Sequence, residues 1–266
     1  MENFLDVAVG VAREAGAFLK QFSKGPIEIF YKRKSDLVTE ADRGSEALIL
    51  DRLHKHFPGH AVVAEEGGGA DTGSDYCWYI DPLDGTTNFA HGFPVYCVSI
   101  ALAYRGEVIA GVVYDPSREE LFQAERGAGA YLNNQRISVS KTANLSEGLL
   151  ATGFPPFATN HDLNLQFFFK LTRLSHGIRR PGAAALDLCS VASGRFEGFW
   201  ELKLNSWDKA AGALLVMEAG GRVTDLAGGP FSLQRDEIFA SNGLVHDEMI
   251  GTFSEILDEY KQVECG

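Results

Sequence analysis

Two aspartates three residues apart, Asp81 and Asp84, stand in the run DPLDGTTNF at residues 81–89. Tyr76 to Ile80 before them is a short apolar, aromatic and β-branched run, which reads as a strand buried on both faces and ending at Asp81. Pro82 has no amide hydrogen and a fixed φ, so it stops the ladder and leaves both carboxylates on a tight turn, facing one point. Carboxylates held this close repel, and one is driven toward its neutral form unless a cation lies between them. Mg²⁺ suits the place, because it takes hard oxygen ligands, one or two carboxylates, several waters and substrate phosphate. Gly85, Thr86, Thr87 and Asn88 follow as a turn opening a short helix, which offers bare amides and a hydroxyl to an anion. A cation site and an amide nest side by side describe a place for a phosphate. Ordinary surface-turn chemistry accounts for Asp-Pro or Asp-Gly alone. It does not account for a strand exit, two acids at i and i+3, and a glycine followed by hydroxyls in one run.

More acids fall at element ends. Ala61 to Ala64 reads as a short strand running into Glu65 and Glu66, so Glu65, Asp81 and Asp84 meet if the two strands are neighbours. The glycine-rich stretch Gly67 to Gly73 lacks the GK[ST] ending of a nucleotide-binding loop and reads as a connection. In the second half, NSWDKAAGALLVMEAGG at 205–221 is a helix capped by Asn205 or Ser206 and ended by Gly220 and Gly221. Asp208 falls in its first turn, where the helix dipole favours an acid whether or not a site is present. Thr39 and Asp42 have the spacing of a capping box at the start of a helix running to about His56, which gives Asp42 a structural task.

The elements that must position these groups are legible in outline. The segment to Phe22 has apolar residues at helical spacing, Gly25 and Pro26 end it, and Ile27 to Tyr31 alternates as a strand. Tyr96 to Tyr104, Val108 to Tyr114 and Leu121 to Ala124, divided by turn signals at Arg105-Gly106 and Asp115-Pro116-Ser117, form an antiparallel meander. Beyond residue 144 helix and strand mix: a helix at Asp162 to Leu174 with Phe167, Phe168 and Phe169 in the core, a helix at Ala183 to Ala192, and a strand at Phe196 to Glu201. The expected organisation is an α+β half with the acidic motif, residues 1–143, and an α/β half completing the site, residues 144–266.

The 266 residues are 45% hydrophobic, enough for a sizeable core, with no apolar run long enough to span a bilayer. Glu2 and Asp6 stand where a signal peptide would be basic, so the cytosol is the expected address. Cys77, Cys97, Cys189 and Cys265 lack metal-site spacing and read as buried thiols. A net charge of −12 argues against nucleic acid as the main partner, and an acidic protein taking an anionic substrate needs local positive charge, which divalent ions supply. Lys32, Arg33 and Lys34, like the pair Arg179 and Arg180, read as solvated surface or a dimer edge. No Ser or Cys nucleophile has a paired His, which speaks against a covalent intermediate.

Glu65-Glu66, DPLDGTTNF and WDKAAGALLVMEAGG at 207–221, in that order, resemble the inositol monophosphatase family over essentially the whole chain. RRPGAAALDL at 179–188 and FWELKLNSWD at 199–208 are similar to its bacterial members. The resemblance implies a layered αβαβα sandwich, Mg²⁺ dependence with two to three ions per site, lithium inhibition and a homodimer. It implies that Glu65, Asp81 and the Leu83 carbonyl hold one metal, that Asp81, Asp84 and Asp208 hold a second, and that a weaker third ion leans on Glu65. Gly85 and Thr86 would bind phosphate through their amides, with Thr86, Glu65 and Asp42 orienting the attacking water. Gly182, Ala184 and Glu201 match positions lining the sugar or inositol pocket. The chain departs from the family at Gly67, where many members carry Ser or Thr, and has no certain equivalent, at Lys32 or Lys34, of a lysine often found before DLVT. The expected activity is hydrolysis of inositol 1-phosphate or another small phosphorylated polyol by metal-activated water. Fructose 1,6-bisphosphate and phosphoadenosine phosphate are rival substrates, although Glu201 suits polyol hydroxyls and offers no stack for adenine. A regulatory or binding homodimer with secondary catalysis is the rival of another kind.

Overall fold

The computed structural model describes residues 3–25, 28–33, 36–154 and 163–264; Glu2, Pro26, Ile27, Lys34, Asp162 and Cys265 lie outside them. Helix α1 (Phe4–Phe22) opens where the Asn3 side chain accepts from the Leu5 amide, and Ala8, Val11, Ala12, Ala15 and Leu19 form its buried stripe. β1 (Ile29–Arg33) and β2 (Asp36–Thr39) pair as an antiparallel ribbon. The first of these strands is as expected from the alternation up to Tyr31, and its partner β2 is one that the sequence pattern does not announce. α2 (Glu40–His56) starts at the expected capping box of Thr39 and Asp42.

A seven-stranded sheet follows. Its strands are β3 (Ala61–Ala64), β4 (Tyr76–Asp84), then, after the short helix α3 (Thr86–Ala90), β5 (Cys97–Tyr104), β6 (Glu107–Asp115), β7 (Glu120–Glu125), β8 (Gly129–Leu132) and β9 (Gln135–Arg136). They neighbour one another in chain order, so the meander is as expected, with β3 and β4 the one parallel pair. One strand end differs. β4 does not stop at Asp81: after a register shift it pairs again at Asp84 with Cys97, because Pro82 and Leu83 are taken up in a bulge that asks no ladder hydrogen bond of the proline. Its outer residues Tyr76, Cys77 and Tyr79 are half-buried, so the strand is fully covered only toward its carboxyl end.

The second sheet, ordered β11-β10-β12-β14-β13, mixes parallel and antiparallel pairs. It is built from β10 (Leu149–Thr152), β11 (Gly177–Arg179), β12 (Gly198–Leu202), β13 (Arg222–Thr224) and β14 (Glu237–Ser241), with α4 (Leu163–Leu174), α5 (Ala184–Ala192), α6 (Ser206–Glu218) and α7 (His246–Glu264) between strands or after them. α1 and α2 cover the outer face of the large sheet, α5 and α6 lie between the sheets, and α4 and α7 cover the small sheet. The result is the five-layered αβαβα sandwich. In the middle layer every residue of α6 from Lys209 to Val216 is buried, and small residues let the layers close. A Cβ at Gly111 would lie 3.0 Å from the Ala211 Cα, which is backbone against backbone. Phe167 is core as expected, whereas Phe169 points outward at 64% exposure, since three consecutive residues cannot share one helix face. Cys97 and Cys189 are buried thiols and Cys77 is half-buried.

Candidate active site

Parallel pairing of β3 with β4, with Ala64 opposite Ile80, delivers Glu65 beside Asp81, and the Glu65 amide donates to the Ile80 carbonyl at 3.2 Å. The Leu83 amide donates to Asp81 Oδ1 at 3.0 Å, which folds the bulge into a closed turn and aims the next carboxylate, Asp84. Asp84 Oδ2 accepts the Ala185 amide from the first turn of α5 at 2.7 Å, joining the two sheets at the motif. Asp208 sits at the first turn of α6, where the Asn205 amide donates to its Oδ2 at 2.6 Å in a reciprocal capping box.

Gly85 caps α3 with φ +93°, and a Cβ there would lie 2.8 Å from the Val95 carbonyl oxygen, so both conformation and space require glycine. Thr86 Oγ1 lies 2.8 Å from Asp42 Oδ1 and 3.1 Å from the Leu83 carbonyl. A hydroxyl has one proton, and the charged acceptor takes it more strongly. Asp42 Oδ2 accepts the Thr39 amide at 2.7 Å and the Thr39 hydroxyl at 2.6 Å. Asp42 therefore both caps α2 and orients Thr86, joining the structural and functional readings of that residue. Asn88 Nδ2 donates to the carbonyls of Val95 and Pro181, each at 2.8 Å, and so holds Gly182 and the start of α5 against the motif. Gly182 has φ +85°, and Ala184 is buried in the α5 turn that faces Asp84. Glu201 comes from β12, is 8% exposed, and fills the space that a side chain at Gly153 would need.

The electrostatics follow from burying acids together. Burial, then Glu65, Asp84 and Asp208, push the Asp81 carboxyl well above the usual range. Burial and Asp208 raise Asp84 to about 7. Burial raises Glu201 well above its ordinary value, with Asp208 and Asp84 adding and Arg180 opposing. Asp42 is also raised by burial, against the hydrogen bonds from Thr39 and Thr86. No Lys or Arg is among the groups acting most strongly on Asp81 and Asp84. Among the described residues no three His, Cys, Asp or Glu side chains converge tightly enough to enclose an ion as they stand. The donor set fits a divalent ion all the same: its carboxylates act on one another as close neighbours, they are hard oxygens, and the groups acting most strongly on Asp81 and Asp84 include no cation.

The structure thus brings Glu65, Asp81, Leu83, Asp84, Gly85, Thr86 and Asp42 to one edge of the large sheet, and Gly182, Ala184, Glu201 and Asp208 face them from the small-sheet side. Sequence reasoning missed two supports. The Glu46 carboxylate accepts the amides of Glu66 at 2.8 Å and Gly68 at 3.0 Å, which ties down the loop after Glu65. Ser45 Oγ donates to the Pro82 carbonyl at 2.8 Å. Both lie on the buried side of α2, and their helical phase with Ile49 and Leu53 is the signal the sequence offers.

A profile of the inositol monophosphatase family matches residues 1–258. The chain belongs to the inositol monophosphatase family. It is 47% identical over 251 residues to the "Nus factor SuhB" of Pseudomonas aeruginosa, covering 91% of this chain and 92% of that one. It is 45% identical over 252 residues to the "Inositol-1-monophosphatase" of Synechocystis sp., covering 94% of this chain and 88% of the relative. The solved inositol monophosphatase of Anabaena (Nostoc) sp. superposes with a TM-score of 0.85 at 42% identity, covering 95% of both chains. Family membership makes the chain a phosphoric monoester hydrolase acting on a phosphorylated substrate, in a family that is metal-dependent. Among the described residues no helix is long and apolar enough to cross a membrane.

Proposed function

We propose that the chain hydrolyses inositol 1-phosphate to myo-inositol and phosphate, with Mg²⁺ as cofactor. The observation that carries this reading is a set of buried, mutually repelling carboxylates set beside the Gly85 turn and faced by Glu201. Glu65, Asp81, Asp84, Asp208 and the Leu83 carbonyl would hold two to three ions, in a site whose donors are all hard oxygens. Bound there, Mg²⁺ would supply a nucleophilic water and charge stabilisation for the phosphate and the leaving alkoxide.

The chain's own residues do the rest. The Gly85 and Thr86 amides receive phosphate oxygens. Thr86 gives its hydroxyl proton to Asp42, so its oxygen lone pairs face outward to accept a proton of the attacking water and fix its approach. Glu65, tethered through its loop by Glu46, orients the same water. Glu201 accepts hydroxyls of the polyol, with Gly182 and Ala184 forming the small-residue wall that lets the ring approach. Attack in line with the leaving oxygen needs no covalent intermediate. Lithium inhibition, a homodimer and a cytosolic address go with this reading.

The name of the Pseudomonas relative favours a second reading, a regulatory role beside catalysis. With a net charge of −12, direct contact with nucleic acid is disfavoured and a protein partner fits better. Phosphate release with Mg²⁺ is to be measured in parallel from inositol 1-phosphate, fructose 1,6-bisphosphate and phosphoadenosine phosphate. Preference for the first is expected; preference for another renames the substrate, and release from none makes the regulatory reading the leading one.

A further inference from the structure

A cavity of about 260 Å³ lies between the last turns of α2, the chain entering β3, the strand β4 and the loop that follows Glu65. None of the acids of the candidate active site lines it. Among the described residues no Lys or Arg lines it either, so it is not a second place for a phosphate. One wall is a set of stacked rings. His60 lies between Phe57, 5.0 Å away and 14° from parallel, and Tyr76, 4.7 Å away and 8° from parallel, while the fully buried Trp78 stacks on Phe57 at 5.6 Å. Both faces of His60 are covered, which leaves its edge. Trp78 Nε1, a donor only, gives its hydrogen to His60 Nδ1 at 3.1 Å, so the neutral ring carries its own proton on Nε2. Burial lowers the pKa of His60 and favours that neutral form. Among the described residues Nε2 has no hydrogen-bond partner.

Another part of the wall is the loop itself. Gly68 lines the cavity, and its amide donates to Glu46 Oε1 at 3.0 Å, while Oε2 of the same carboxylate takes the Glu66 amide at 2.8 Å. The Val62 amide donates to the Ala70 carbonyl at 2.8 Å and clips the loop to β3. Whatever fills the cavity rests against a segment that begins at Glu65.

We propose that this cavity is a binding site for a flat aromatic molecule of one or two fused rings with a hydrogen-bond acceptor for His60 Nε2, and that its occupant holds the loop where it presents Glu65. An apolar cavity of about 150 Å³ already takes benzene, so this one has room for two fused rings, and it is too small for a nucleotide. Ring walls already stacked on one another need little ordering when a ligand enters. The coupling to Glu65 rests on the reading of that residue as a metal ligand; the binding does not.

The test titrates quinoline, two fused rings with one acceptor nitrogen, and naphthalene, the same shape without it, into full-length protein by calorimetry. Amide chemical shifts of Gly68 and Ala70 locate the binding. Quinoline is expected to bind with a Kd on the order of 100 µM. In His60→Phe, which keeps the ring and removes the donor, the ratio of quinoline to naphthalene affinity falls about tenfold. Val62→Phe fills the cavity from β3 and removes binding of both, with phosphate release within about twofold of the parent. Saturating quinoline slows hydrogen exchange of the Glu66 and Gly68 amides in metal-free protein by at least about threefold. Saturating Mg²⁺ tightens quinoline binding by about threefold, because coupling between two sites is reciprocal. Unmoved Gly68 and Ala70 amides at millimolar quinoline, or an unchanged affinity ratio in His60→Phe, overturn the site. Binding with unchanged exchange at Glu66 and Gly68 overturns the coupling. Slowed exchange without an effect of Mg²⁺ is the failure of the Glu65 reading and leaves the site standing.

Discussion

The dipeptide Asp-Pro breaks the ladder of the large sheet twice, at the Asp81-Pro82 bulge within β4 and at Asp115-Pro116 after β6. Both turns close alike: Leu83 donates its amide to Asp81 Oδ1 at 3.0 Å, and Ser117 donates to Asp115 Oδ1 at 2.8 Å. The fourth residue separates them. At the second turn it is Arg118, whose amide reaches Asp115 Oδ1 at 3.0 Å and whose guanidinium reaches Oδ2 at 2.6 Å, so the buried aspartate is neutralised on the spot. At the first it is Asp84, a second acid, and the further charges acting on the pair are those of Glu65 and Asp208. One local design gives a settled corner when a cation completes it and an unsettled one when an anion does. The unsettled corner suits an ion from solution, because its fourth residue brings an acid where the settled corner brings a guanidinium.

The sharpest way to break the contrast is to neutralise the fourth residue. Asp84→Asn is expected to lower turnover by at least about a thousandfold while raising the stability of the metal-free protein by about 1–2 kcal/mol, since a buried charge is removed and the shape kept. Phosphate release and urea unfolding of chelator-treated protein measure the two halves, and near-normal turnover would refute the site assignment. Glu65→Gln comes next: kcat falls by about a hundredfold and KM changes little, as expected for a group that orients water rather than binds substrate. A variant in which KM carries the loss contradicts that role.

Away from both corners, at the start of α7, His246 provides a remote reference, buried and partnered on both ring nitrogens. Ser241 Oγ lies 2.8 Å from Nδ1 and Thr224 Oγ1 3.0 Å from Nε2, and burial lowers its pKa to about 4. The unfolded chain takes up a proton near pH 6.5 and the folded one only near 4, so this stability is complete above 6.5 and lost as pH falls between the two, on the order of 2–3 kcal/mol. Urea midpoints at pH 7 and 4.5 should show the loss, and His246→Gln should reduce it; an equal slope in both proteins would exclude His246. The smallest effect is at Arg118. Arg118→Ala leaves Asp115 with two amides and should cost about 1 kcal/mol with unchanged turnover. A change in kcat would mean that the two corners are coupled, which the comparison denies.

The local chemistry was the legible part. The capping box of Thr39 and Asp42, the cap at Asn205, the Gly85 turn and the strand end that carries Glu65 depend on neighbours within a few residues, and their side chains declare them. What escaped depends on long-range contact. The pairing of Asp84 with Cys97 beyond Pro82 requires a facing strand thirteen positions away, and no propensity encodes a bulge. The Asn88 hydrogen bond to Pro181 spans 93 residues, and the tether from Glu46 to the loop after Glu65 spans 20. Phe169 went astray for a simpler reason, since a triplet of phenylalanines has apolar content without helical phase.

The close approach of Gly111 to Ala211 has a further meaning. Asp81 belongs to the large sheet and Asp208 to α6, so the gap between the acids is gauged by how near that helix can lie to the strands. At this point the gauge is one missing methyl group thick. Adding it would act as a shim, lifting the helix by a fraction of an ångström and moving Asp208 away from the acids of the large sheet. An enzyme of this build is detuned most quietly from inside its layers, at a residue that never meets substrate.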